Sequence, residues 1–104
     1  MTRFAAPGQP DAFMRYLPRY DHWIGGEYVG PALGRYFDNT TPVAGQPFCE
    51  IARGSAEDVE RALDAAHGAA RGWGRTSAAE RANVLNRIAD RMEANLQALA
   101  VAET

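Results

Sequence analysis

The chain has 104 residues, of which 46% are hydrophobic and 23% charged, with a formal net charge of -2 and a pI of about 5.6. That is length for one small domain with little surplus stability, and the mild acidity excludes the basic stripe by which nucleic-acid binders neutralise phosphates. No apolar run approaches the roughly 20 residues of a membrane span, and Pro7, Pro10 and Asp11 interrupt the place where a secretory leader would be apolar, so a cytoplasmic location is expected. Cys49 is the single cysteine and can form no internal disulfide, which fits a reducing compartment.

Residues 1–19 read as a tail, broken by Pro7, Gly8, Pro10 and Pro18, with Phe13, Met14, Tyr16 and Leu17 available for packing. Residues 20–104 read as one unit. In "DHWIGGEYVGP", Trp23 and Ile24 precede Gly25-Gly26, and Tyr28 and Val29 follow; two glycines supply positive φ without steric cost, so a tight hairpin is predicted. A second extended pair follows, with Arg35 to Thr40 as one arm and Phe48 to Arg53 as the other. Pro42 and Gly45 mark its turn, and Pro47, lacking an amide hydrogen, suits a strand start.

The period changes at Ser55. Val59, Ala62, Leu63, Ala66 and Ala70 recur at helical spacing. Ser55 is a good N-cap, Asp58 stands at the capping-box position, and Glu57 pairs with Arg61 one turn on. Gly72 and Gly74, flanking Trp73, end this helix. "SAAE", Ser77 to Glu80, is a full capping box for a second helix, in which Leu85, Ile88, Met92, Leu96 and Leu99 form an apolar stripe. Run without a break from Ala78 to Glu103, it would be roughly 39 Å long. The fold class is therefore α/β: hairpin segments, then two helices, the second long. The Ala-rich first helix and shallow hairpins offer too little surface to cover the stripe, so part of it should lie open.

The reactive residues do not assemble a site. A catalytic thiol needs a base, a helix N-terminus or cationic neighbours. Cys49 lies between Phe48 and Glu50 in a predicted strand and reads as a packed cysteine. His22 and His67 belong to no metal-ligand spacing and read as boundary or surface histidines. "GWGRTS", Gly72 to Ser77, imitates the start of a dinucleotide fingerprint, but a helix precedes it where a strand is needed, and Ser77 serves better as a cap. Asp90 and Glu93 read as solvated helix charges, and Trp23 and Trp73 as core or boundary anchors. No catalytic, cofactor-binding or metal-ligating side chain is assigned.

From His22 onward the chain resembles the aldehyde dehydrogenase superfamily. "HWIGGEYV" is similar to its opening hairpin. "TPVAGQPFCEIARGSAEDVERALDAAHGAA" resembles its next block of turn, strand and helix. "TSAAERANVLNRIADRMEANLQALAVAET", following Trp73 at a short remove, resembles its second helix, with Glu80-Arg81, Leu85, Ile88-Ala89-Asp90 and Glu103-Thr104 in place. Thr41 departs from the asparagine usual before the turn proline. "PFCEIARGSAEDVERALDAAH" leans toward bacterial acetaldehyde-oxidising members.

The resemblance implies that residues 20–104 are the incomplete first portion of a cofactor-binding domain, continued beyond Thr104. It implies a longer enzyme that oxidises a small aldehyde to the carboxylic acid with NAD or NADP and assembles as a homo-oligomer, dimer or tetramer. Its thiolate nucleophile and water-activating glutamate would lie in later segments, so this chain alone is expected to be inactive and to bind no cofactor. The partners expected are the rest of the same polypeptide and the aldehyde, with no nucleic acid and no membrane. The resemblance further implies monovalent-cation contacts from backbone carbonyls near Asn39 and Thr40, completed by an acid just past Thr104. Against this stands a short non-enzymatic protein that binds a partner through Leu85, Met92, Leu96 and Leu99. A free-standing enzyme of this length is disfavoured, because no acid, base and nucleophile converge.

Overall fold

Extended segments fill the first half of the chain and helices the second, in a computed structural model that describes residue 12 and residues 14–104. Most of the expected tail, residues 1–11 and Phe13, lies outside the described residues. β1 (Arg19–Tyr20) is not anticipated by the sequence pattern. It is followed by β2 (His22–Ile24) and β3 (Glu27–Val29), the expected hairpin. Gly25 and Gly26 take φ of 64° and 83°, as a two-residue turn with both central residues left-handed requires. Trp23 stands opposite Tyr28, and their rings meet edge to face at 4.8 Å.

β4 (Tyr36–Thr40) and β5 (Pro47–Ala52) form the second antiparallel pair, within a residue or two of the expected arms, and Pro47 does open its strand. Their ladder shifts register between Asn39 and Thr40. The connecting turn closes through Thr41, whose amide donates to the Gln46 carbonyl and whose carbonyl accepts from the Gly45 amide. β1 adds to the other edge of β5 in parallel, so the sheet order is β1-β5-β4. A two-residue parallel strand carries almost no local signal; Arg19 is held there by Glu50, 2.7 Å from its guanidinium, and by stacking over Tyr36. Tyr16 packs edge-on against Phe48, so one of the apolar residues before β1 does find a sheet partner.

α1 (Ala56–Gly74) starts and stops where the sequence places it. α2 (Ala78–Ala94) begins on the Ser77 box: the Glu80 amide donates to Ser77 Oγ, and the Ser77 amide donates to Glu80 Oε2. The expected single helix to Glu103 is divided. Asn95 leaves helical geometry at φ -119°, ψ 24°, and α3 (Leu96–Glu103) follows. The Asn95 side-chain amide donates to the Arg91 carbonyl at 2.9 Å, the kind of local bond by which asparagine competes with the helical ladder.

The core is very small. Among the described residues, the buried apolar side chains are Cys49 and Ala52 of β5 and Pro31 in the loop after β3. The Cα radius of gyration is 17.5 Å, against about 13 Å for a compact domain of this length. The accessible surface is 8306 Å², where a folded monomer of this mass would expose about 5,700 Å². Trp23 and Trp73, expected as anchors, are both exposed. The stripe along α2 and α3 is open as anticipated: Leu85 is 63% and Leu96 67% exposed, with Met92, Leu99 and Ile88 exposed as well.

Candidate functional site

Two regions could carry function: a polar junction at the start of α1, and the open apolar faces of the helices. At the junction the Asp58 carboxylate is 3% exposed, although it belongs to the first turn of a helix. Oδ1 accepts the Ala32 amide at 3.0 Å; Oδ2 accepts the Ser55 amide at 3.0 Å and the Ser55 hydroxyl at 3.1 Å. His22 Nε2 lies 3.4 Å from Oδ2. Burial pushes this carboxyl up. The Ser55 and Ala32 amides, the Ser55 hydroxyl and His22 outweigh that push and hold it below the usual carboxylate range. The sequence marks Asp58 as a cap, but its hydrogen bond to Ala32 and its contact with His22 span 26 and 36 positions, and no short-range pattern signals them.

A second network joins β1 and the residue after it to β4 and β5. The Tyr36 hydroxyl donates to Asp21, which, with burial, raises the Tyr36 phenol above its ordinary range. The hydrogen bond to Glu50 raises the Arg19 guanidinium, so that group is charged at every ordinary pH. These are structural ties: every member is engaged within the chain.

The reactive candidates stay apart. Cys49 is buried on β5, with the Asn39 side-chain amide 3.9 Å from its sulfur. His67, Asp90 and Glu93 are exposed on helices. Among the described residues, no three of His, Cys, Asp and Glu converge as metal ligands. The Gly72–Ser77 stretch does not fit a dinucleotide phosphate. Its carbonyls, not its amides, converge: Trp73 and Gly74 carbonyls accept from Arg81, which also donates to Thr76 Oγ1. The N-terminus of α2 already holds the Glu80 carboxylate, in the position an anion would take. The role of Arg81 in closing this turn escapes the sequence reading, because Arg81 lies inside α2 and reaches back seven and eight residues to the end of α1.

Asn39 and Thr40, singled out for backbone cation contacts, lie at the irregular end of β4. They line an open pocket of about 170 Å³ together with Thr41 and Phe48, and its far wall is the end of α3, Glu103 and Thr104 included. A larger groove, about 560 Å³, runs between Trp23 and Ile24 of the hairpin and Ala62, Ala66 and Ala69 of α1. No helix among the described residues is long and apolar enough to cross a membrane.

These features define a class: an α/β segment with a polar junction held within the chain and apolar faces that lie open. The aldehyde dehydrogenase family model matches residues 28–104, and the chain belongs to that family. It is 68% identical over 104 residues to the "Probable aldehyde dehydrogenase" of Streptomyces coelicolor, covering all of this chain and 20% of that protein. It is 58% identical over 101 residues to the acetaldehyde dehydrogenase of Pseudomonas aeruginosa, covering 97% of this chain and 20% of that one. The crystal structure of HpcC from Thermus thermophilus matches with a TM-score of 0.75 at 38% identity, over 80% of this chain and 16% of the other. The chain thus spans about a fifth of the length of the curated relatives it matches.

Proposed function

We propose that this chain forms the amino-terminal flank of the cofactor-binding domain of an NAD- or NADP-dependent aldehyde dehydrogenase, which oxidises a short aliphatic aldehyde such as acetaldehyde to the carboxylic acid. The observation that carries this reading is the open stripe of Leu85, Ile88, Met92, Leu96 and Leu99 on a chain that matches relatives about five times its length. Contiguous apolar surface of this kind marks a face that another part of the protein covers. The role of the chain is then architectural. It presents α2 and α3 to the remainder of the polypeptide, while nucleophile, base and nicotinamide site belong to that remainder. The acetaldehyde dehydrogenase from Pseudomonas aeruginosa supports the choice of substrate class.

Three finer assignments go with it. The enzyme is cytoplasmic and homo-oligomeric, as a dimer or tetramer. Residues 20–104 share one domain with the enzyme's later segments. Backbone carbonyls near Asn39 and Thr40 contact a monovalent cation, a reading supported by the pocket they share with the end of α3.

A chimera tests the proposal. The first fifth of the Streptomyces coelicolor relative is replaced by this chain, and aldehyde-dependent reduction of NAD or NADP is measured. The expected result is activity within about tenfold of the parent, with none from the chain alone. A soluble, folded chimera without activity, or turnover by the isolated chain, would overturn it. The partner-binding alternative predicts the first of these outcomes.

A further inference from the structure

The imidazole of His22 is held in an incomplete contact. Its Nε2 is buried and makes no hydrogen bond, yet it stands only 3.4 Å from Asp58 Oδ2. A buried ring nitrogen without a partner is unfavourable, and one acceptor is within reach. A carboxylate has about four lone-pair sites. The Ala32 amide takes one site on Oδ1, and the Ser55 amide and hydroxyl take both sites on Oδ2, so the site left for His22 is on Oδ1 and is reached by a small shift of the ring. An open cleft of about 260 Å³, lined by Trp23 and Ile24 on one side and Val59 and Ala62 on the other, separates the hairpin from α1 beside this contact.

We propose that His22 and Asp58 form a latch that closes the β2–β3 hairpin onto the start of α1, with the imidazole donating from Nε2 to the Asp58 carboxylate in the closed state. The other groups around the ring do not compete. Asp21, next in sequence, already accepts from Tyr36; Val29 is the cross-strand neighbour; a side-chain carbon at Gly54 would sit 3.8 Å from Cε1, an ordinary contact. One carboxylate therefore joins three elements: β2 through His22, the loop after β3 through Ala32, and the N-terminus of α1 through Ser55. Closing the latch narrows the apolar cleft and couples docking of the hairpin to capping of the helix. The three elements then open together as one local unit. This holds whether or not the chain serves an enzyme.

His67, exposed on α1, is an internal reference for the test. Side-chain ¹⁵N NMR of the full chain at about pH 8, above the ordinary imidazole range, should show His22 protonated at Nε2, with a ring proton that exchanges with water far more slowly than that of His67. His22→Phe should speed amide exchange at Ala32 and across the hairpin by about tenfold, and His22→Gln, which can still donate, should retain most of the protection. An Nε2 without a proton, or a ring proton exchanging as fast as that of His67, overturns the latch. So does equal loss of protection in both variants, or no loss in His22→Phe.

Discussion

The two halves of this chain are held by different kinds of bond. In the first half the ties reach across sequence: Arg19 to Glu50, Asp21 to Tyr36, Ala32 to Asp58. In the second half they stay close: Ser77 with Glu80, Arg81 with the turn behind it, Asn95 with Arg91, Thr104 with Ala100. The first half has the strands and, among the described residues, every buried side chain except Asp58 at the start of α1; α2 and α3 have no buried residue at all. Local capping is enough to define where a helix starts and stops. It does not supply the burial from which most helical stability in proteins comes. The helical arm is therefore a preformed face, and the sheet half is the part that has closed upon itself.

The sharpest way to break this contrast is at Asp58. Asp58→Ala removes the acceptor for Ala32 and Ser55 together. Amide exchange in the hairpin and the first turn of α1 should rise by on the order of a hundredfold, while α2 is unchanged. Acid should do the same to the unaltered chain. Because the folded Asp58 carboxyl lies below its unfolded value, its contribution is complete above about pH 4 and is lost as the pH falls through the folded value. Exchange measured down a pH series should show the junction loosening on the acid side, before α2 responds.

The local bonds of the arm should give smaller effects. Ser77→Ala removes a side-chain cap and should cost about 1 kcal/mol, read as fraying of the first turn of α2 with the sheet unaffected. Asn95→Ala should act in the opposite direction. It deletes the side-chain bond that interrupts the ladder and adds about 0.5 kcal/mol of helix propensity, so α2 and α3 should fuse and helical circular dichroism should rise. Smallest of all, Leu85→Ser or Leu96→Ser should change the stability of this chain by less than about 0.5 kcal/mol, because both side chains already face solvent. The same changes in the chimera should cost about 2–5 kcal/mol, the range for losing a buried leucine. Equal small effects in both settings would leave the stripe without a covering partner.

Much of the architecture is legible in the sequence because its signals are short-range. Gly25-Gly26 between apolar pairs, the serine boxes at Ser55 and Ser77, and the three-and-four spacing from Leu85 each determine backbone geometry within a few residues. The misses have the complementary cause. β1 is two residues long and exists through its pairing with β5; Asn95 reads as one more polar position in a good helical pattern, although its amide reaches back to Arg91. By their nearest neighbours His22 and Asp58 read as a boundary histidine and a cap, and their meeting depends on how the hairpin lies against α1.

Residue order alone settled the α/β class, the starts of α1 and α2, the hairpin turn and the open stripe, since turn sterics, capping and hydrophobic period act over a single turn of backbone. Only the tertiary arrangement decided that Asp58 is buried among donors from separate elements, that Asn39 and Thr40 face the end of α3, and that the tryptophans stay in solvent. Those outcomes depend on where distant segments come to rest, which no local pattern encodes.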